Sequence, residues 1–310
     1  PLAVLAIIPT LPLPAYMLHI MITVFIFAYI AMAWAMMGRF GLLSLGHGTF
    51  MGIGAYTSSL LFNYYGLTPW VGMLIGGVCA ALIALAVGFP SFRYGVTGAY
   101  FALLTLALSE IVRLVLIAAR EVTGGELGLT LAFKGHSPFY FQFLDERYFY
   151  YISLAFWLLS ILVWLSFKNS KLIYALRAIA DEEEAAAQVG VGVTKYKLMV
   201  TSISAFLTAM GGTVYAQYLG YISPGTVSGA IVSLVIAYIT ILGGIHYTLG
   251  PFVGALVYTT MLEALRVSLG VRLVALWGVI FGLLLIVFIL ALPAGLCSIL
   301  EKLLPKRWRS

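Results

Sequence analysis

Charged side chains, which could bind a solute or a partner, are scarce in this sequence and are concentrated in a few places. Only 9% of the 310 residues are Asp, Glu, Lys or Arg, yet residues 181–184 read Asp-Glu-Glu-Glu. Two further pairs, Glu110 with Arg113 and Glu263 with Arg266, have a spacing of three, at which opposite charges pair on a helix. The acidic run indicates a partner surface or a solvated linker, and the pairs indicate a structural lock or the lining of a solute path.

The remaining reactive side chains form no recognisable catalytic or metal site. His47 and His246 stand without nearby ligand-type residues, so each is expected to make a structural hydrogen bond that caps a turn. Cys79 and Cys297 lie in apolar stretches and are expected to pack like ordinary apolar residues. The sequence holds no Gly-x-x-x-x-Gly-Lys-Ser/Thr, His-Glu-x-x-His or Gly-x-Ser-x-Gly motif. ATP binding by the phosphate-loop route is excluded, and an intramembrane enzyme would lack its catalytic residues.

The composition requires a membrane. Apolar residues make up 63% of the chain and its mean hydropathy is +1.07, whereas globular proteins are about 45–50% apolar. Runs of about 20 apolar residues suit the hydrocarbon core of a bilayer. We predict an all-α polytopic fold with nine spans, or ten if the opening "PLAVLAIIPT" ends a helix whose start is missing. The spans are placed at 15–37, 46–62, 69–90, 97–118, 149–167, 198–219, 228–243, 249–268 and 273–292.

Glycines spaced four apart predict tight helix packing. Small residues one turn apart let two helix backbones approach closely in lipid. Within the predicted spans, four pairs have this spacing: Gly48 with Gly52, Gly72 with Gly76, Gly250 with Gly254, and Gly278 with Gly282.

The distribution of basic residues predicts the orientation. With the basic tail 301–310 in the cytoplasm, 11 Lys and Arg fall inside and 6 outside, as the positive-inside rule requires. The chain is then a single transmembrane domain, 1–310, with a long outer loop at 119–148 and a long cytoplasmic loop at 168–197. Both charge pairs fall toward the outer ends of their spans. A lock between helices is the simpler interpretation, and an outer gate or vestibule formed by Glu110, Arg113, Glu263 and Arg266 is the functional one.

The cytoplasmic loop is predicted to hold one helix over 171–189. Ser170 can cap its start and Gly190 or Gly192 can end it. On a helical period Arg177, Asp181, Glu184 and Gln188 share one face, while Ile179, Ala186 and Val189 lie toward another. Anionic lipids of the inner leaflet would repel the acids. A cytoplasmic protein that accepts the small residues Ala185, Ala186 and Ala187 therefore fits better than the membrane surface.

The chain resembles the LivM-type permease family of branched-chain amino acid importers. "EAAAQVG", residues 184–190, matches the Glu-Ala-Ala…Gly loop of ABC-importer permeases. The wider resemblance is carried, in order, by "GRFGLLSLGHGTFMGIGAYTS" (38–58), "GAYFALLTLALSEIVRLVL" (98–116), "TGGELGL" (123–129), "ALRAIADEEEAAAQVGVGVTKYKLMVTSISAFLTAMGG" (175–212) and "ILGGIHYTLGPFVGALVYTTMLEALR" (241–266). After "TGG" the family often has Pro-Asn-Gly or Ser-Asn-Gly, where this chain has Glu126-Leu127-Gly128.

The resemblance implies a function and a set of partners. It implies a multi-pass subunit of a prokaryotic inner membrane, paired with a homologous LivH-type permease, two cytoplasmic ABC ATPases and an extracytoplasmic solute-binding protein. Residues 177–190 would be the coupling helix, with Arg177, Asp181, Glu183, Glu184, Ala185, Ala186 and Gly190 as its coupling residues. ATP and Mg²⁺ would bind to the ATPases, so this chain would hold no cofactor, and no nucleic acid is implied.

Two alternatives stay open. Relatives with the same architecture carry urea or short amides in place of hydrophobic amino acids. A stand-alone secondary transporter or channel is a different class of protein, and it would need ionisable groups near the bilayer midplane for ion coupling. The predicted spans carry such groups mainly near their ends, which disfavours that class.

Overall fold

The computed structural model describes residues 5, 8–10, 14–269, 282–283, 286–288 and 294–298, and most of them are helical. The α-helices in chain order are α1 (Ala15–Gly38), α2 (His47–Tyr65), α3 (Pro69–Arg93), α4 (Gly98–Ala118), α5 (Arg120–Thr123), α6 (Glu146–Lys168), α7 (Lys171–Asp181), α8 (Glu183–Gln188), α9 (Val193–Leu219), α10 (Pro224–Val227), α11 (Ala230–Gly243) and α12 (Gly250–Leu269). Two short strands, β1 (Leu129–Thr130) and β2 (Tyr221–Ile222), pair antiparallel.

Long helices occupy eight of the nine predicted spans. The ninth, 273–292, lies almost wholly outside the described residues, as does the basic tail 301–310. Among the described residues, six helices are long and apolar enough to cross a membrane: α1, α3, α4, α6, α9, and α10 with α11 taken together. The fold is therefore an all-α polytopic membrane fold, and the count of nine or ten spans stays a prediction.

Helix α2 shows why apolarity alone does not identify every long helix of the bundle. It is 19 residues long, yet it is not among those six. Its polar residues Thr49, Ser58 and Ser59 are fully buried. A helix that is surrounded by other helices needs little lipid-facing apolar surface, so its sequence can carry hydroxyl groups.

The core is built around α1, which other helices cover for most of its length. Tyr29 and Trp34 on α1 are each only 1% exposed. Phe25 of α1 packs edge-on against Tyr150 of α6, with ring centroids 5.4 Å apart, and stacks near Phe252 of α12 at 5.9 Å. Aromatic contacts of this kind fix α1 between α6 and α12.

Close backbone approach fixes α2 against its neighbours. A Cβ added at Gly54 of α2 would collide with the carbonyl of Ala209 in α9, and one added at Gly212 would collide with the carbonyl of Met51. Several of the predicted glycines lie at similar contacts, among them Gly48, Gly52, Gly72 and Gly254. Tight helix packing is confirmed at Gly72 and Gly254, whereas Gly48 and Gly52 lie against residues 228–229, just before α11. Gly278 lies outside the described residues, and a Cβ added at Gly282 would meet no atom of the described residues within 4 Å.

Contacts between connecting segments define two ends of the bundle. At the first end, Asn63 Nδ2 donates to the carbonyl of Thr130 at 2.9 Å. At the second end, the guanidinium of Arg39 donates to the carbonyls of Ile245 (2.7 Å) and Tyr247 (3.1 Å). Segment 119–145 therefore belongs to the first end. Helix α7, followed by α8, belongs to the second end, because Arg177 and Asp181 border a cavity together with Arg39.

In the part of the chain that the structure describes, more basic residues lie at the second end than at the first. That end carries seven of them: Arg39, Arg93, Lys168, Lys171, Arg177, Lys195 and Lys197. The first end carries five: Arg113, Arg120, Lys134, Arg147 and Arg266.

Candidate functional site

Helix α7 lies on the bundle through an apolar face. Leu172, Ile173, Leu176 and Ile179 are each at most 7% exposed, so their spacing of one, three and three residues forms a single buried stripe. Ser170 has the extended backbone of an N-cap residue, which confirms the predicted start, although its hydroxyl makes no capping bond. This stripe fixes α7, and its other face remains exposed.

The prediction of one continuous helix over 171–189 is wrong, because the chain breaks at Glu182. That residue is extended (φ −154°, ψ 106°) and separates α7 from α8. A continuous helix would place four acids in its middle and toward its C-terminal end, where negative charge is unfavourable. The break instead places Glu183 and Glu184 in the first turn of a new helix, where the helix dipole favours them.

Helix α8 is fixed to the bundle by a buried cation. Lys197 Nζ of α9 lies 2.6 Å from Glu183 Oε2, and the Lys197 side chain is only 4% exposed while that of Glu183 is 39% exposed. Gly190, with φ +90°, lies just beyond the helix in a conformation that favours glycine. The segment therefore ends at the predicted glycine, and its position is set by an ion pair that the sequence did not predict.

The structure divides the predicted coupling residues into an exposed group and a group that contacts this chain. Arg177, Asp181, Glu184, Ala185 and Gly190 are exposed at the second end of the bundle.

Ala186 is buried against this chain, at 4% exposure, and Glu183 is engaged by Lys197. The expectation that Ala185, Ala186 and Ala187 all enter a groove of a partner is therefore wrong for Ala186. The expected shared face of Ile179, Ala186 and Val189 is also interrupted, since Val189 is 81% exposed.

Arg39 is a structurally important residue that sequence reasoning missed. Besides its bonds to two carbonyls, its guanidinium carbon lies 3.9 Å from the centre of the Trp164 ring. It borders a cavity of about 300 Å³ shared with Arg177, Asp181 and His246. Burial lowers the pKa of Arg39 to about 10. Its position at the end of a long apolar helix was the available signal, since a charge placed there must find partners.

The pair Glu110–Arg113 anchors a helix. Arg113 Nε donates to Glu110 Oε2 at 2.8 Å, and Glu110 Oε1 accepts the backbone N–H of Ala230 at 2.7 Å. Ala230 is the first residue of α11, so the carboxylate satisfies an otherwise unpaired amide at a helix start. Here the simpler interpretation, a lock between helices, describes the geometry.

The pair Glu263–Arg266 has different surroundings. Arg266 Nη1 donates to Glu263 Oε1 at 2.7 Å. Both residues border a cavity of about 440 Å³ that Tyr258 and Thr259 also line. Although their spacing is the same, one pair fixes the start of α11 and the other lies on a cavity wall at the first end.

His47 makes a structural hydrogen bond, as predicted, but not one that caps a turn. His47 Nε2 lies 2.8 Å from Ser204 Oγ, whose own hydroxyl donates to the carbonyl of Ala33 at 2.7 Å. The bond therefore joins α2, α9 and α1 and does not cap the turn, because the ring points into the helix interface. His246 lines the cavity beside Arg39.

Comparisons with known proteins give a consistent result. The family model described as "Branched-chain amino acid transport system / permease component" matches residues 16–289. The permease protein LivM of the high-affinity branched-chain amino acid transport system, from Escherichia coli and from Salmonella typhimurium, is 32% identical over 251 residues. The match covers 74% of this chain but only 58% of each LivM.

A more distant relative carries a different name. The autoinducer 2 import system permease protein LsrC of Enterobacter is 31% identical over 129 residues, 40% of this chain and 37% of LsrC. No solved structure matches the chain.

Proposed function

The chain belongs to the family of permease components of branched-chain amino acid transport systems, and we propose that it is a transmembrane subunit of an ATP-driven importer for branched-chain or other hydrophobic amino acids. The LivM relatives support this substrate class. The relative named for autoinducer 2 import indicates that the architecture serves other solutes. Urea or a short amide is the alternative substrate class.

The proposed assembly contains further chains. A LivH-type permease would complete the membrane domain, two cytoplasmic ATPases would bind ATP with Mg²⁺, and an extracytoplasmic protein would deliver the solute. The excess of basic residues at the end that carries α7 and α8 supports a cytoplasmic position for that end in the inner membrane.

The observation that carries the coupling role is the attachment of α8. Its Glu184 and Ala185 are exposed, while Glu183 on the same helix is held by the buried Lys197 of α9. Helix α9 is 27 residues long and has Gly212 against Met51 of α2. A force applied by an ATPase to the exposed face of α8 would therefore reach the bundle through a short, rigid connection.

The test is a charge reversal on the exposed face. Glu184→Arg should abolish solute-stimulated ATP hydrolysis in the assembled complex, because it changes the surface offered to the ATPase without touching the contacts of Glu183 or Ala186. Glu121→Arg, which reverses an exposed acid at the opposite end, is the matched control. Full stimulated activity in Glu184→Arg, with the control also active, would remove the coupling role from α8.

Two further measurements separate the alternatives. The tagged chain should co-purify with two ATPase chains, whereas solute uptake by the chain reconstituted alone would establish a secondary transporter or channel. The cognate binding protein should gain thermal stability with leucine, isoleucine or valine. A gain only with urea or acetamide would assign the alternative substrate class.

A further inference from the structure

A cavity at the first end is lined by both charged and apolar side chains. Its volume is about 440 Å³, within the range of roughly 300–1,000 Å³ typical of small-molecule sites. It lies among the first-end portions of α1, α9, α10, α11 and α12. A solute bound there would contact several of the helices that form the bundle.

The charged side chains present both signs within one helical turn. The side chain of Glu263 is 13% exposed and that of Arg266 is 48% exposed, so the acid is sheltered and the base is open to solvent. One turn earlier on α12, Thr259 borders the same cavity and is only 3% exposed. Its hydroxyl has no hydrogen-bond partner among the described residues, although buried hydroxyls normally have one.

Apolar side chains also line the cavity. They include Phe27 of α1, Val232 and Val235 of α11, and Leu262 of α12. Val232 is 8% exposed, so this part of the lining belongs to the interior of the bundle. An apolar group placed there would be removed from water, which is favourable in proportion to its area.

We propose that this cavity is a transient binding site for a zwitterionic α-amino acid with an apolar side chain. Arg266 would pair with the carboxylate, Glu263 with the ammonium group, and Thr259 would donate its hydroxyl to the carboxylate. The apolar side chain would lie between Phe27 and Val235. This inference rests on the proposed function and adds to it the place where the permease itself contacts the solute.

The ion pair explains why a zwitterion fits better than a singly charged solute. A bound cation or anion would pair with one member of the Glu263–Arg266 pair and weaken its bond to the other. A zwitterion offers both charges together, so each side chain keeps an opposite charge beside it. A phosphatidylethanolamine headgroup also carries an ammonium and an anion, so the experiment must separate these two sources.

The test uses the assembled complex in nanodiscs and a diazirine analogue of leucine as the probe. After irradiation, the label should be found in peptides covering 226–235 and 258–266. Leucine should compete for labelling, while leucinamide and 4-methylpentanoate, which each lack one charge, should compete roughly tenfold less well. Labelling should be the same in phosphatidylcholine nanodiscs with and without phosphatidylethanolamine.

Matched variants test the residues. Glu263→Gln and Arg266→Gln should each reduce labelling roughly tenfold, whereas Glu121→Gln, at an exposed acid of the same end, should not. Thr259→Val should reduce labelling and its exposed neighbour Thr260→Val should leave it unchanged. Correct assembly of each variant is checked by co-purification of the ATPases.

Two outcomes would overturn the inference while leaving the proposed function intact. One is leucine transport by the complex with labelling and transport unaffected in Glu263→Gln and Arg266→Gln. The other is labelling that phosphatidylethanolamine displaces and leucine does not, which would make the cavity a lipid headgroup site. Failure of the complex to transport any hydrophobic amino acid would instead contradict the proposed function.

Discussion

The ion pair between Glu183 and Lys197 leads to a prediction about how firmly α8 is held. Glu183→Gln replaces the carboxylate with a neutral group of nearly the same shape. The lysine stays in place with a side chain only 4% exposed, while position 183 remains partly open at 39%. The substitution therefore leaves a buried cation without its counter-charge.

The structure sets the size of the expected effect. Removing one partner of a fully buried ion pair costs about 3–5 kcal/mol, and a hydrogen bond to a charged group contributes about 1.5–3 kcal/mol. Glu183 is partly exposed and the new amide can still accept a hydrogen bond from Lys197. We therefore expect the attachment of α8 to weaken by about 2 kcal/mol, equivalent to about a 30-fold change in the local opening equilibrium.

Amide hydrogen exchange measures this opening. The amides of Ala186, Val189 and Val191 are bonded to carbonyls within the segment, so their protection should fall about 30-fold in Glu183→Gln. The amide of Gly220, at the far end of α9, should keep its protection and serves as the internal reference.

The reciprocal substitution gives the sharper comparison. Lys197→Met removes the buried charge and leaves the half-exposed Glu183 in contact with water, so its cost should be at most about 1 kcal/mol. The double variant should resemble Lys197→Met, because the buried cation that lacks its counter-charge in Glu183→Gln is then absent. Unchanged protection in Glu183→Gln, or a larger loss in Lys197→Met, would refute the reasoning.

Three other predictions concern packing and exposure. Gly54→Ala should destabilise the bundle by about 1–3 kcal/mol, because its Cβ would collide with a carbonyl of α9. Gly192→Ala is the control: its Cβ would make an ordinary contact at 3.6 Å, so the thermal midpoint should stay unchanged. Arg39→Gln should weaken the second end by about 2 kcal/mol or more, since two carbonyl bonds and the Trp164 contact are lost, and should increase proteolysis within 244–249. Ala185→Trp should reduce co-purification of the ATPases while the melting midpoint of the bundle stays normal. Ala186→Trp should reduce co-purification and also lower the melting midpoint. A normal midpoint in Ala186→Trp would contradict the burial of Ala186.

Local patterns in the sequence predicted the helices well. The apolar stretches determined where the long helices lie, because a segment surrounded by lipid or by other helices must satisfy its own backbone hydrogen bonds. The four-residue glycine spacing predicted close approach, and Gly54 and Gly212 show the same principle at an unpredicted contact. The family resemblance, carried by ordered motifs along the chain, was also readable from the sequence alone.

The same local patterns wrongly predicted α7 and α8 to be one continuous helix. Helix-forming residues run from 171 to 189, so propensity alone favours one helix. The break at Glu182 places Glu183 and Glu184 in the first turn of α8, and Lys197 from the next element pairs with Glu183. Helix propensity, counted residue by residue, does not include an ion pair with a neighbouring element.

The sequence by itself determined that this protein is a helical membrane permease of a known family, because hydropathy and motif order are properties of the chain taken segment by segment. Only the tertiary structure decided what each polar residue does. Arg39 meets carbonyls 206 and 208 residues away, and the cavity beside Glu263 is assembled from α1, α9, α10, α11 and α12. Contacts between distant segments depend on how whole helices pack, which a local pattern does not encode.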